Sequence, residues 1–508
     1  MRSKRIAINT AFSLLEETVA VVCGFILPRL ILVTFGSKYN GLTTSITQFL
    51  SCAVLLRSGI GGATRAALYK PLANNNQDEL NAIVKATDNF MKKVGAVLGG
   101  LILVFAAIYP VLVQNEFDWF FTFSLFIIIG ASTFAESLFG ITYLIVLQAD
   151  QQLWVSALLK SICVLLNTIL CVLFIKNGSS IHLVKLGSTF IYVIYPIILG
   201  AYVKKHYKIN KNVEPDDRAI EQRWDAFWQQ AAVFVMNNTD VIILTMFSNM
   251  SEVSIYSVYN MIVSGLKRFV TSSALAIEAA FGNMIAENKM EILSVNVRIV
   301  EVMIQTLCTI LYSCAALLIL DFVALYTHEI SDINYIRPAF AGVLILAQYF
   351  NGVRLPYQLV VGAAGHYRQT KRGAILEPVI NITLSIILVF KIGMIGTAIG
   401  TLAATIWRTM QYSVYMSRNI VKRNQFITLA RCLASLVEFV IIFFITTVSG
   451  VSAPATYMEW IYKAVFICII STLVVVPLNY LFFRRDMRLA ILKSGSLFKR
   501  KKCFTFFN

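Results

Sequence analysis

Apolar runs of twenty or so residues recur along the whole chain, and short polar segments separate them. About 20 residues of helix span the hydrocarbon core of a bilayer, which is roughly 30 Å thick. Fourteen such runs are present, near 11–34, 42–66, 92–113, 120–147, 153–175, 181–203, 226–248, 254–280, 298–326, 336–362, 373–391, 395–416, 427–449 and 459–482. The pattern predicts an all-α polytopic membrane protein with about 14 transmembrane helices.

The polar segments give the orientation of these spans. In the predicted loops, 26 Lys and Arg residues lie on the side of the N-terminus and 3 lie on the opposite side. Cytoplasmic loops of membrane proteins carry this excess, so both termini are predicted to be cytoplasmic. The basic N-terminus precedes a long apolar run without a small-residue cleavage site, and we therefore expect the first span to be retained.

A polar segment in the middle of the chain separates two sets of six spans. The sequence that follows Tyr143 weakly matches the sequence that follows Tyr357, as a six-span duplication predicts. Such repeats are common in secondary transporters, whose substrate site lies between the halves. The predicted organisation is an N-lobe (1–203), a cytoplasmic linker (204–225), a C-lobe (226–418), two further spans (419–483) and a basic cytoplasmic tail (484–508).

Composition agrees with a membrane protein and excludes several other classes. Of the 508 residues, 57% are hydrophobic and 14% charged, whereas a soluble domain is about 25% charged. The net charge of +17 is explained by the basic cytoplasmic loops, so no nucleic-acid partner is predicted. None of the nine cysteines forms a CxxC pair, and no metal site, redox motif or cofactor is predicted.

Basic residues inside the predicted spans are the strongest indication of function. Lys267 and Arg408 each lie in a helical stripe of Ser, Thr, Asn and Tyr residues. In the tenth span, Arg354 shares a helical face with Asn351 and Gln358. A charge at the bilayer centre costs at least about 2.5 kcal/mol, so each of these residues needs a partner or a water-filled cavity.

Two interpretations of these charges are open. The structural one is a set of interhelical ion pairs, for example Arg408 with Glu377 or Arg354 with Asp240. The functional one is a water-filled basic cavity between the two lobes, and the excess of basic over acidic residues at these depths favours it. A basic cavity with many hydroxyl and amide groups suits a ligand that combines phosphate with sugars.

The candidate site follows from this charge argument. The predicted substrate-binding residues are Arg57, Arg65, Lys160, Asp240, Lys267, Arg268, Arg354 and Arg408. The candidates for ion coupling are Glu16, Glu17 and Asp240. No catalytic residue is predicted.

Several stretches also resemble a known family. They are Asn-Thr-Asp at 238–240, Ile-Tyr-Ser-x-Tyr-Asn at 255–260, FGSKYNGL at 35–42, SGIGGATRAAL at 58–68 and NITLSIILVFKIGMIGTAIGT at 381–401. In order and spacing they resemble the polysaccharide transporter family, the O-antigen and capsule flippases of the multidrug/oligosaccharidyl-lipid/polysaccharide exporter superfamily. The resemblance covers most of residues 1–420.

The resemblance implies a function as well as a fold. It implies a two-lobed helical transporter that flips an undecaprenyl-diphosphate-linked oligosaccharide to the outer leaflet of the bacterial plasma membrane, for surface polysaccharide biosynthesis. The partners it implies are this lipid-linked glycan, membrane lipids and the glycan polymerase machinery. The family has no strict catalytic signature, so its motifs do not assign ligand residues.

Two other functions stay open from the sequence. A cation-coupled multidrug exporter shares the fold, but it should favour acidic cavity residues over the basic ones present. A membrane polysaccharide polymerase or ligase acts on the same lipid-linked sugars, but it usually carries a sizeable outer loop and an acid–base pair, and the sequence shows neither.

Overall fold

The computed structural model describes residues 2–55, 60–210, 212–220, 234, 238–272 and 274–499. The chain divides into two compact units, Met1–Ser254 and Ile255–Asn508. Within the described residues, every regular element is helical, which confirms the predicted all-α fold class. The boundaries predicted for the lobes and the linker stay a prediction.

The described part of the first unit contains α-helices and one short 3-10 helix at Asp217–Ile220. The α-helices are α1 (Arg2–Phe35), α2 (Ser37–Val54), α3 (Ile60–Asn74), α4 (Gln77–Leu112), α5 (Trp119–Phe139), α6 (Ile141–Ala149), α7 (Leu153–Lys176), α8 (Ile181–His206) and α9 (Asn238–Phe247). The division between the units falls near the start of the next helix, α10 (Met250–Thr271).

The remaining helices belong to the second unit. They are α11 (Ala274–Ala286), α12 (Met290–Tyr326), α13 (Pro338–Ala363), α14 (Tyr367–Ile392), α15 (Met394–Asn419), α16 (Phe426–Val448), α17 (Tyr457–Phe482) and α18 (Arg484–Lys499).

Nine helices of the described part are long and apolar enough to cross a membrane. They are α1, α4, α5, α7, α8, α12, α14, α16 and α17. Helices α13 and α15 have 26 residues each, a length that spans about 39 Å at 1.5 Å per residue. The polar faces that carry Arg354 and Arg408 lie on these two helices. The chain is therefore a multi-pass membrane protein.

Several predicted spans differ from the observed helices. The predicted span 42–66 covers parts of α2 and α3, and the predicted span 254–280 covers most of α10 and part of α11. Helices α4 and α12 begin well before their predicted spans. Of the span predicted at 226–248, residues 226–233 and 235–237 lie outside the described residues, and the end of the span matches α9.

The core of the first unit lies where α3, α4, α6, α7 and α8 meet. Leu68, Val84, Val146 and Leu199 are almost fully buried there. Elsewhere in the first unit, a polar contact joins α2 to α9, where the hydroxyls of Ser45 and Thr245 are 2.6 Å apart.

In the second unit, α14 and α15 approach closely at Gly400. A Cβ at this position would overlap the Ser385 hydroxyl and would lie 2.9 Å from the backbone oxygen of Asn381. A flexible side chain could move away from the added Cβ, but the backbone of α14 cannot, so only glycine fits here. Asn381 also donates a 2.7 Å hydrogen bond to the Thr401 hydroxyl on α15. This close contact fixes α14 against α15.

Replacing Gly400 with alanine should separate these two helices. We expect the variant to lose about 1–3 kcal/mol of stability, as overpacked positions do. The measurement is the melting temperature of the purified protein in detergent. Gly342→Ala in α13 is the matched control, because no atom lies within 4 Å of the added Cβ. Equal melting temperatures for the two variants would contradict the contact.

The predicted basic tail contains a helix. Helix α18 packs its Met487 and Ala490 against Ile299 and Val302 of α12. Its Asp486 is buried and forms a 2.6 Å ion pair with Arg298. Residues 484–499 therefore belong to the folded second unit, and residues 500–508 lie outside the described part.

Candidate functional site

Three helices of the second unit bring together two arginines and one glutamate. Arg354 lies on α13, Glu377 on α14 and Arg408 on α15. Arg354 Nη1 forms an ion pair with Glu377 Oε1, and Arg408 Nε lies 3.4 Å from Glu377 Oε2. One carboxylate is therefore shared by two guanidinium groups. The ion pair of Arg408 with Glu377, named in the structural interpretation of the sequence, is present.

Neighbouring groups on α14 and α15 fix the position of the Arg408 side chain. Its side chain is 4% exposed. Its Nη2 donates a 2.7 Å hydrogen bond to the Tyr412 hydroxyl, and its guanidinium carbon lies 4.0 Å from the centre of that ring. Its Nη1 donates to the side chain of Gln411 and, at 3.3 Å, to the backbone oxygen of Thr370. Arg408 is thus fixed as part of the α14–α15 contact.

A glycine on α14 makes room for this guanidinium. A Cβ at Gly373 would overlap Arg408 Nη1 and the amide of Gln411. The arginine therefore lies across the surface of α14, where its charge reaches Glu377.

Arg354 is more accessible than Arg408. Its side chain is 15% exposed, and its Nη2 donates a 2.7 Å hydrogen bond to Asn351 Oδ1 on the same helix. Lys267 of α10 is half-buried and lies within electrostatic reach of both Arg354 and Glu377. The cluster thus contains three basic side chains and one carboxylate.

The excess of positive charge decides what this cluster can bind. Among the residues described in this cluster, one carboxylate, that of Glu377, stands against three basic side chains, of which Arg354 and Lys267 are the more accessible. Guanidinium and ammonium groups in a medium of low dielectric attract phosphate strongly. The cluster can therefore bind an anionic group through Arg354 and Lys267, while Arg408 stabilises the packing of α14 against α15.

Most of the other predicted site residues belong to the first unit. Within the first unit, Lys160 forms a 3.1 Å ion pair with Glu16, and Arg65 donates a 3.3 Å hydrogen bond to Gln148. Asp240 is buried on α9, whereas Glu17 on α1 and Arg268 on α10 are exposed. Arg57 lies outside the described residues. The roles predicted for these residues stay predictions.

A second buried ionic network joins α12 to α16, to α18 and to the loop before α16. Glu301 of α12 accepts two hydrogen bonds from Arg423, at 2.5 and 2.9 Å, and one at 2.6 Å from the Tyr357 hydroxyl. Arg431 of α16 lies 3.4 Å from Glu301 and 2.8 Å from Asp486 of α18. Glu301 and Arg431 are each 1% exposed.

The charge of Glu301 also acts on the loop between α15 and α16. Burial disfavours the charged form of Arg423, but the adjacent carboxylate outweighs burial and raises the pKa of Arg423. The arginine therefore stays charged, and it ties this loop to α12. Sequence reasoning missed the network, although a glutamate inside an apolar helix is a signal for a buried partner.

An apolar cavity of about 770 Å³ lies elsewhere in the second unit. Segments of α12, α13, α15 and α16 line it, with Tyr349, Phe350, Leu433 and Phe439 among its side chains. No Lys or Arg lines this cavity. It is therefore distinct from the basic cavity that the sequence predicts.

Comparison with known proteins gives likeness in fold alone. No protein-family model matches the chain, and no curated protein matches it either.

Solved structures of membrane transporters are similar over most of their length. The lipid II flippase MurJ, in an inward closed conformation, superposes with a TM-score of 0.70 at 15% identity, over 94% of this chain and 99% of that chain. A multidrug resistance MATE family transporter of the MOP superfamily, in an inward-facing conformation, has a TM-score of 0.60 at 11% identity, over 80% of this chain and 99% of that chain.

A MOP superfamily transporter from Pyrococcus furiosus, described by the reverse polarity of its binding pocket, has a TM-score of 0.54 at 12% identity, over 83% of this chain and 97% of that chain. The chain therefore has the all-helical membrane fold that MurJ shares with MATE transporters of the MOP superfamily.

Proposed function

We propose that the protein is a flippase, a transporter with no catalytic activity. Its substrate is an undecaprenyl-diphosphate-linked oligosaccharide, which it moves from the cytoplasmic to the outer leaflet of the bacterial plasma membrane. The product serves surface polysaccharide biosynthesis, such as O-antigen or capsule. Both termini are cytoplasmic in this proposal.

The observation that carries the proposal is the cluster of Lys267, Arg354 and Arg408 around one carboxylate. Its net positive charge, within helices of a membrane protein, matches a diphosphate better than a cationic drug. The likeness in fold to MurJ supports a lipid-linked substrate, since that protein is a lipid II flippase. The resemblance of the sequence to oligosaccharide flippases supports the same class.

The proposed mechanism is alternating access of two lobes, with the headgroup bound by the basic residues and the polyprenyl chain left in lipid. A charge of −2 that moves outward across 100 mV, inside negative, would gain roughly 4–5 kcal/mol. The basic side chains would offset the cost of carrying the diphosphate through the bilayer centre.

A second candidate function is a cation-coupled multidrug exporter. The likeness in fold to a multidrug resistance MATE family transporter favours it. Expression in a drug-sensitive strain distinguishes the two, because an exporter would raise resistance to cationic, apolar drugs and a flippase would not. A polymerase or ligase would instead leave its lipid-linked substrate on the outer leaflet when the gene is deleted.

The test of the flippase is Arg354→Gln in a strain whose surface glycan depends on this gene. Loss of a charged hydrogen-bonding group costs about 1.5–3 kcal/mol, so we expect transport to fall by about tenfold or more. The lipid-linked intermediate should accumulate where an impermeant glycan-cleaving enzyme, added from outside, cannot reach it. Surface polymer should fall accordingly.

The control for this test is Lys391→Gln, which removes an exposed basic residue near the end of α14. We expect normal polymer from this variant. Normal polymer from Arg354→Gln, with a normal amount of protein, would overturn the role of the cluster in substrate binding. An intermediate that the added enzyme cleaves would refute the flippase itself.

A further inference from the structure

A third glutamate is buried in the second unit, and its surroundings differ from those of Glu301 and Glu377. Glu438 lies near the middle of α16 and is 0% exposed. Among the described residues, neither of its carboxyl oxygens has a hydrogen-bond partner. The other two glutamates each face two arginines, whereas Glu438 has no arginine or lysine paired with it in the described part of the chain.

The face of α16 that carries Glu438 is packed inside the protein. One turn earlier, the Ser435 hydroxyl accepts hydrogen bonds from Gln305 at 2.9 Å and from Thr309 at 2.8 Å, both on α12. One turn later, Ile442 is fully buried. The carboxyl group therefore cannot reach lipid headgroups or water by extending its side chain.

Asn479 of α17 lies beside the carboxyl group of Glu438. This residue is 2% exposed, and its Nδ2 has no hydrogen-bond partner among the described residues. Two unsatisfied polar groups on neighbouring helices thus face each other. Burial without a hydrogen-bond partner is unfavourable for each of them.

The charged groups on the surrounding helices are already engaged. Arg431 lies two turns before Glu438 on α16 and is paired with Glu301 of α12 and Asp486 of α18. On α17, Lys463 forms a 2.8 Å ion pair with Asp321 of α12. An ionised carboxylate at position 438 would therefore be buried without a compensating cation, which is costly in a membrane.

A neutral carboxyl group resolves both problems. We propose that Glu438 and Asn479 form a proton-binding site, in which Glu438 holds a proton at neutral pH and pairs with the Asn479 amide. The acid O–H donates to Asn479 Oδ1, and Asn479 Nδ2–H donates to the second carboxyl oxygen. The pair joins α16 to α17 without any net charge.

This site goes beyond the proposed transport of a lipid-linked glycan, and it stands or fails separately. It also differs from Glu16, Glu17 and Asp240, the residues that the sequence suggested for ion coupling. Its ligand is a proton, because the site offers one carboxyl group and one amide and no further charged group.

Infrared spectroscopy of the full-length protein in lipid nanodiscs tests the proposal. The C=O stretching band of a protonated carboxylic acid should be present in the wild type at neutral pH and absent in Glu438→Gln. The control is Glu459→Gln, which replaces an exposed glutamate near the start of α17 and should leave the band unchanged. Asn479→Leu should shift the band, because the acid then loses its hydrogen bonds.

The stability of Glu438→Gln gives a second readout. Glutamine has the shape of a protonated glutamate and carries no charge. The melting temperature of the Glu438→Gln variant should therefore equal that of the wild-type protein. A band that Glu438→Gln leaves intact would overturn the proton site, as would failure of this variant to fold. A band that Asn479→Leu leaves at its original frequency would overturn the pairing with the amide.

Discussion

Glu301→Gln is expected to destabilise the second unit by about 3–5 kcal/mol, the effect of removing one partner from a buried ion pair. Glu301 is paired with both Arg423 and Arg431, and a glutamine would leave Arg423 without the carboxylate to which it donates two hydrogen bonds. The loop before α16 and the packing of α16 on α12 depend on this carboxylate. The measurement is the melting temperature in detergent, together with the amount of protein in the membrane.

Glu291→Gln is the matched control, because Glu291 lies on the same helix and is exposed. It should behave like the wild type. The double variant Glu301→Gln/Arg423→Gln should recover part of the loss, since it removes the stranded charge together with its partner; couplings in such networks are about 0.5–3 kcal/mol. A wild-type melting temperature for Glu301→Gln would show that the network does not hold the last helices in place.

The ends of the apolar helices follow closely from the sequence. Helices α16 and α17 were predicted at 427–449 and 459–482 and are observed at Phe426–Val448 and Tyr457–Phe482. Turn-forming residues lie on both sides of α16 and before α17, so the apolar run and the helix end together at these points. Contact with lipid determines where these helices begin and end, and hydropathy is a direct measure of how well a segment fits a lipid environment.

Helices that continue beyond the membrane are harder to predict from hydropathy. Helix α4 begins at Gln77, about four turns before its predicted span. Asn76 caps it by accepting a 3.3 Å hydrogen bond from the backbone N–H of Glu79. The extension is amphipathic and packs Ile83 and Val84 into the core of the first unit. A search for uniformly apolar runs cannot detect such a segment.

The candidate site was predicted in part. Helical periodicity placed Arg354 and Arg408 on polar faces of their helices, and both do meet in one cluster. Periodicity could not identify Glu377 as the carboxylate that both arginines share, because the position of this carboxylate depends on how α14 packs against α15. The residues of the Glu301 network were missed for a related reason, since Arg423 was counted only as a loop charge that sets the orientation.

Glu377→Gln should have the second large effect. Without this carboxylate, Arg354 and Arg408 would both lose the acid with which they form ion pairs. We expect a loss of about 3–5 kcal/mol in stability and a corresponding fall in the amount of protein. The exposed arginine at the end of α15 supplies the control, Arg418→Gln, which should leave both quantities unchanged.

The double variant Glu377→Gln/Arg408→Gln distinguishes a role of Arg408 in helix packing from a role in ligand binding. It removes one charge of each sign, so Lys267 and Arg354 keep the net positive charge of the cluster while the buried guanidinium no longer needs a partner. We expect the amount of protein to recover at least in part. If transport recovers with it, the accessible pair Lys267 and Arg354 binds the anionic headgroup and Arg408 serves the packing of α14 on α15. If the protein recovers while transport stays lost, Arg408 itself is needed for the substrate, despite its burial.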